Sequence, residues 1–242
     1  MLAPNPSPWT LDGTNTWVLG YAEGPVIVID PGPDDATHRK AIRQVIADRP
    51  VLSIVLTHGH ADHSEGARAL ADDVRTNIRA VDPHHRLGDE GLAPGDVIDV
   101  AGGCQILLTP GHTSDSACLV AREDSFLIAG DTVLGRGTAV VAWPDGHLGQ
   151  YLDSLRRLRD LIGDIGYLLP GHGPALGDPG HVLDAYMAHR MVRLDEVRDC
   201  MATGCTTASD IVATVYADVP RDVWPAAELS VRAQMEYVRD NG

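Results

Sequence analysis

The sequence predicts an α/β domain followed by a small all-helical module, on three observations. Short apolar runs bounded by Gly, Pro and Asp recur between residues 17 and 170, with amphipathic helical stretches among them. Histidine and aspartate collect where those runs end. From about His181 onward only helical spacing remains, so the chain divides into residues 1–178 and 179–242.

Taken in order, "TWVLGY" and "PVIVID" read as a strand pair around "AEG", and "DATHRKAIRQVIAD" as a helix presenting Ala41, Ile42, Val45 and Ile46. The run 51–56 is a buried strand that ends in "THGHADH". Residues 64–72, "SEGARALAD", follow as a helix with Asp62 or Ser64 as N-cap. "DVIDV" and "CQILLT" are strands, and "ACLVA" and "FLIAG" form a hairpin around "REDS". "YLDSLRRLRDLIG" turns Leu152, Leu155, Leu158 and Ile162 inward, and "GYLL" is a last strand ending at Pro170. Beyond the loop "GHGPALGDPG" the helices include "TASDIVATVYA", capped by Thr206 or Thr207, and one near "AAELSVRAQMEYVRD".

Composition narrows the function classes. With 242 residues and 44% apolar content the chain fills a real core. A net charge of −15, with Lys40 as the single lysine, works against any broad polyanion-binding surface. The start "MLAPNPSPWT" has no basic and apolar leader pattern, and no run reaches the roughly 18 apolar residues of a membrane span, so a cytoplasmic location is expected. Cys104, Cys118, Cys200 and Cys205 lack C-x-x-C spacing, and all four are expected to be reduced and free of metal.

The chemistry lies in the histidines and aspartates. His58 and His60, two apart on an extended segment, leave it on the same side, toward one metal. Asp62 and His63 come after the chain bends, and face a second centre. His112, Asp131 and His172 each follow a glycine at a strand end, where a tight turn is needed. The expected sets are His58, His60 and His112; Asp62, His63 and His172; and Asp131 as a bridge. Imidazoles with few carboxylates suit zinc, here two Zn2+, with manganese or iron as alternatives. Asp30, closing "VIVID", is an acceptor that would orient a ligand imidazole. "PGHT", "AGDT" and "PGHGP" singly are turns; beside the dense H-x-H-x-D-H cluster they become the missing ligands. His38, His84, His85, His147 and His181 are expected to be solvated. No G-x-S-x-G elbow and no phosphate-binding glycine loop is present.

Together "THGHADH", "PGHT", "GD" and "PGHGP" resemble the metallo-β-lactamase-fold hydrolases over residues 9–174. The resemblance implies an αββα sandwich holding one or two metals at its sheet edges. "NPSPWTLDGTNTWVLG", "GDTVLGRGTAVV" and "YMAHRMVR" further resemble the lactamase-like subgroup of single-strand-specific endoribonucleases and polyketide thioesterases. That subgroup carries a C-terminal winged-helix-like module, here without a β-hairpin wing before "VRDNG". The family's ligand pattern falls on all seven residues unsubstituted, which implies two metals. The implied enzyme is a dinuclear zinc hydrolase whose metal-bridging hydroxide attacks an ester, a thioester or an RNA phosphodiester, with Asp62 or Asp131 relaying a proton.

A β-lactam hydrolase is a weaker reading, because the secreted enzymes usually lack the aspartate at Asp131. A di-iron redox protein is weaker still, because that branch usually has Glu at His60. A catalytically idle metal-binding or regulatory module is the non-enzymatic alternative. For substrate, His189, Arg190 and Arg193 form a basic patch for a phosphate of RNA or of a phosphopantetheine arm, against the plainer reading of a surface helix beside Asp195 and Glu196. From Thr206 onward six acidic residues face three arginines, a net −3 that grips phosphate poorly. The module is therefore expected to wall the cleft or to make a homodimer contact. Expected partners are a small ester or thioester, or single-stranded RNA, with no membrane.

Overall fold

Strand β2 (Val26–Ile29) is four β-branched residues in a row, the pattern of a strand covered on both faces. In the computed structural model, which describes residues 1–100, 102–163 and 165–241, all four are buried. Val26 and Val28 pack with Ile42 and Ile46 of α1 (Ala36–Ile46) and with Leu70 and Ala71 of α3 (Ala67–Val74). Ile27 and Ile29 face the other way, into a cluster with Ile106, Leu119 and Ile128. One face thus meets helices and the other a second sheet.

The first sheet runs β1 (Trp17–Leu19), β2, β3 (Val51–Val55), β4 (Asn77–Arg79), with β1 antiparallel to β2 and the rest parallel. The second has the order β10 (Leu176–Gly177), β9 (Tyr167–Pro170), β8 (Phe126–Gly130), β7 (Ala117–Ala121), β6 (Cys104–Leu108), β5 (Val97–Ile98). Its neighbours are antiparallel except β8 and β9. On its outer face Cys118, Val120, Leu127 and Ala129 meet Tyr151, Leu152 and Leu155 of α4 (Leu148–Leu161). The layers are helix, sheet, sheet, helix, the αββα sandwich that the resemblance implied.

Helix α5 (Pro179–Ala202) serves two cores. Leu183, Tyr186 and Leu194 join the large cluster under α4, whereas Val197 and Cys200 join a small one with Ile211 and Val212 of α6 (Ala208–Val215) and Val231 of α7 (Trp224–Asn241). Thr207, one of the two expected caps, closes α6 in a capping box with Asp210. No strand follows α7 among the described residues, and no described helix is long and apolar enough to cross a membrane.

Several local expectations are corrected. The helix expected over 64–72 is two pieces, α2 (Ala61–Ser64) and α3, and neither Asp62 nor Ser64 caps it. The chain breaks at Gly66, where a side chain would meet the Pro33 carbonyl oxygen at 2.8 Å; Ser64 Oγ instead bonds back to the Gly59 carbonyl. Cys200 and Cys205 are disulfide-bonded, not reduced: the turn that ends α5 brings their Cα atoms to 5.5 Å. Cys104 and Cys118 are free and buried. His38 is not solvated but buried, with its Nε2 at 2.8 Å from Thr16 Oγ1.

Candidate metal centre

Strand ends from both sheets converge on one edge. Asp30 follows β2, Thr57 and His58 follow β3, His112 follows β6 through a Pro-Gly turn, Asp131 follows β8 directly, and His172 follows β9. Close approach excludes side chains between them. A Cβ on Gly171 would lie 2.3 Å from Asp131 Oδ1 and 2.8 Å from His63 Cε1. Gly111, at φ 141°, passes α4 so closely that a Cβ would lie 2.3 Å from Tyr151 Cα.

The imidazoles are oriented from behind. His112 Nδ1 donates to the Val140 carbonyl at 2.6 Å and His172 Nδ1 to the Gly13 carbonyl at 3.1 Å. His63 Nδ1 lies 2.9 Å from Asp30 Oδ2. Thr57 Oγ1 donates to Asp30 Oδ2 at 2.7 Å, which leaves its lone pair for His58 Nδ1 at 3.1 Å. A carbonyl or carboxylate can only accept, so His63, His112 and His172 each carry a proton on Nδ1, His58 does the same toward the Thr57 lone pair, and all four rings turn Nε2 inward. His60 is reversed: its Nδ1 points inward, 3.0 Å from His58 Nε2 and 3.2 Å from His112 Nε2.

Three donor sets result, each with its atoms within 4.8 Å of one another: His58, His60, His112; Asp62, His63, His172; and His58, His63, Asp131. Asp131 sits between the first two, with Oδ1 3.5 Å from His63 Nε2 and Oδ2 3.3 Å from His172 Nε2 and 3.7 Å from His112 Nε2. Asp62 Oδ2 is 3.1 Å from His172 Nε2 and 3.4 Å from Thr14 Oγ1.

Two observations test this donor set against a metal. Asp131 Oδ1 is buried without a hydrogen-bond partner, and His60 Nδ1 lies 3.0 Å from His58 Nε2 and 3.2 Å from His112 Nε2, three ring nitrogens with at most one proton among them. Each arrangement is costly without a cation between the donors. The spacing is close to the roughly 3.3 Å that zinc–nitrogen bonds of about 2.0 to 2.1 Å give in a tetrahedron. The residues present fit a metal centre.

Protonation divides the cluster. Burial holds His58 and His112 below the usual imidazole range, in the neutral form a ligand needs. Burial pulls on His63 too, but the Asp131 and Asp30 carboxylates outweigh it and hold its pKa well above that range. His172, despite burial, is pushed up to about 9 by hydrogen bonds to Asp131 and Asp62. Burial would raise Asp131, yet His63 and His172 hold its pKa well below that of an ordinary carboxylate.

A cleft of about 530 Å³ opens over His60, Asp62, His112, Asp131 and His172. Pro8, Trp9 and Leu11 form one lip, and Leu134, Ala139, Val140 and Ala142 the other. Arg136 at the rim is held by Asp12 through two bonds of 2.7 and 2.9 Å.

The expected substrate patch is not brought to this cleft. His189 is exposed on α5, and Arg193 pairs with Glu196 at 2.9 Å and stacks on Tyr216. Arg190 is buried under the cleft wall, bonded to the Ala139 carbonyl. The cleft lips were not found from the sequence. Thr57 was also missed, although its place between a buried strand and the ligand His58 was a usable signal.

Comparison with known proteins agrees with this architecture. Residues 9–100 and 103–172 match the metallo-β-lactamase superfamily, and 207–238 match the β-lactamase-associated winged helix domain. A β-lactamase-like protein 2 homolog of Caenorhabditis elegans is 32% identical over all of this chain and 84% of its own length. An atrochrysone carboxyl ACP thioesterase of Aspergillus chevalieri is 31% identical over 92% of this chain and 74% of its own. A metallo-β-lactamase family protein of Thermus thermophilus superimposes with a TM-score of 0.81 at 22% identity, covering 100% of this chain and 93% of that one. TTHA1623, solved in a di-iron-bound form, gives 0.61 at 25% identity over 75% of this chain and 95% of its own. With the sandwich, the His and Asp groups able to bind metal, and the matched sequence all in agreement, the chain belongs to the metallo-β-lactamase superfamily of hydrolases.

Proposed function

We propose that the protein is a dinuclear, zinc-dependent hydrolase of a small ester or thioester. The observation that carries the substrate class is the cleft wall. Its lips are apolar, and among its lining residues Arg136, already paired with Asp12, is the single arginine or lysine. A polyanion such as RNA draws its affinity from several phosphate contacts, whereas an acyl chain with a polar carbonyl matches an apolar slot with few polar groups at its floor. The thioesterase named among the relatives supports the same reading.

His58, His60 and His112 would hold one ion, Asp62, His63 and His172 the other, and Asp131 would reach both. Imidazoles outnumber carboxylates in the set by five to two, which favours zinc. When bound, the ions would supply Lewis-acid polarisation of the substrate carbonyl and activation of water. The protein's own contribution is positional and acid–base. Thr57, Asp30, Val140 and Gly13 fix the ring orientations before substrate arrives. Asp62, whose side chain is 29% exposed, is the more open of the two carboxylates lining the cleft, so its Oδ2 is the acceptor for a proton released there. Asp131, one-tenth exposed, holds the two groups together rather than exchanging protons with solvent.

The test is one zinc-loaded sample assayed on a thioester, on single-stranded RNA and on a cephalosporin, with Asp62→Ala alongside. Thioester turnover that is lost in the variant, with two zinc equivalents per chain, is expected. Turnover of RNA alone would move the substrate class. Turnover that survives Asp62→Ala would remove Asp62 from the chemistry.

A further inference from the structure

Segment 132–142, which forms one lip of the cleft, has no ladder of its own, yet Val133, Leu134, Ala139 and Val141 are buried. Backbone polar groups buried outside regular structure need other partners. Three side chains supply them from below. Tyr151 Oη donates to the Thr132 carbonyl at 2.6 Å. Tyr186 Oη accepts from Leu134 N–H at 2.8 Å and lies 3.0 Å from the Gly137 carbonyl. Arg190 donates from its guanidinium to the Ala139 carbonyl.

Arg190 is the unusual member. Its residue is 8% exposed, its Nε has no hydrogen-bond partner, and its guanidinium carbon lies 5.0 Å over the Tyr151 ring. The ion pairs of α5 run through Asp184, Arg193 and Arg198. Among the described residues no carboxylate pairs with Arg190. A buried cation without a counter-ion is costly, and filling space would be done at lower cost by Met or Leu. The residue after its carbonyl partner is Val140, whose own carbonyl receives His112 Nδ1 at 2.6 Å and so fixes the inward tilt of His112 Nε2.

We infer that Arg190 is a positioning residue: by holding the Ala139 carbonyl it sets the Val140 carbonyl, and thereby the orientation of His112 toward His58 and His60. This rests on the metal-centre reading above and deepens it. It also gives the C-terminal helical region a task, since α5 carries both Arg190 and Tyr186 to the underside of the lip. The expectation that Arg190 binds substrate is thereby replaced by one in which it never touches substrate.

The experiment compares Arg190→Met and Arg190→Lys with the unaltered full-length chain. Zinc affinity is read by chelator competition, ligand geometry by the visible spectrum of the cobalt-loaded protein, and folding by the melting midpoint of the metal-free protein. Arg190→Met is expected to weaken one zinc equivalent by about 10- to 100-fold, the usual range for losing a group that orients a ligand, and to alter the cobalt spectrum, while the other equivalent stays within about threefold. Arg190→Lys keeps a donor for Ala139 but not the flat contact with Tyr151, so a loss of about three- to tenfold is expected. A folded Arg190→Lys that binds both equivalents as tightly as the unaltered chain overturns the inference, whether or not Arg190→Met folds. A melting midpoint that drops with no change in zinc affinity or cobalt spectrum also overturns it, because that is the signature of a purely structural arginine. The readout is metal binding, so failure of the thioester assay in the unaltered chain would refute the substrate reading and leave this result standing.

Discussion

His58, His60 and His112 bring three imidazoles to one point, backed by neutral acceptors, the Thr57 hydroxyl and the Val140 carbonyl. Asp62, His63 and His172 bring two imidazoles and a carboxylate to another, backed on one side by the Asp30 carboxylate. In the first group burial keeps the His58 and His112 rings neutral. The second keeps protons on its rings through its carboxylates. A cation entering the first would meet the Nε2 lone pairs of His58 and His112, whereas one entering the second would have to displace protons. The two groups are therefore unequal, and Asp131 lies between them, its Oδ2 3.7 Å from His112 Nε2 and 3.3 Å from His172 Nε2.

The sharpest way to break this picture is Asp131→Ala, which touches both groups. Turnover should fall by about a hundredfold or more, and metal analysis should find at least one zinc equivalent gone. Loss of only one, with the other bound as before, would assign Asp131 to a single group. His112→Ala and His172→Ala come next. Each should weaken its own group by about a hundredfold in chelator competition and spare the other; a His112→Ala protein that loses both equivalents would merge the groups. Asp30→Asn removes only the charge behind His63 and should cost about tenfold at the second group alone.

The smallest effect separates the groups by sign. In the metal-free protein the raised pKa of His172 contributes stability that is complete below the ordinary imidazole value of 6.5 and is lost as pH rises through about 9. His58 and His112, with lowered pKa values, behave oppositely: their contribution is complete above 6.5 and is lost as pH falls. Melting of chelator-treated protein across pH should show an acid limb that His112→Ala flattens and an alkaline limb that His172→Ala flattens. A single limb unaffected by either variant would contradict the division.

Much of this was legible in the residues. Four ligand-type side chains after a buried strand, and Gly-His or Gly-Asp after three more, stand out because strand ends are where chains turn and side chains converge. What escaped was set by distance in the fold. Arg190 looked like part of a surface patch through its neighbours His189 and Arg193. Its spacing with Leu183, Tyr186, Leu194 and Val197, however, places it on the buried stripe of α5, and that helical period was available in the sequence. Strands β4 and β10, three and two residues long, leave no periodic trace. Trp9 and Arg136 belong to loops, whose meeting across the cleft no local pattern encodes. The Cys200–Cys205 bond spans a helix end, and only the turn geometry brings the thiols together.

The pairing of His63, on α2, with His172, just after β9, joins positions 109 apart in the chain. An ion held by both is a cross-link as well as a reagent. In the chain-entropy picture a permanent tie closing a loop of about 100 residues is worth about 4 to 5 kcal/mol, most of it by restricting the unfolded chain. A bound ion would thus clasp the sandwich at the edge that carries the cleft. Stripping the metal would release that edge before either sheet comes apart, so a protease should find the cleft lips first.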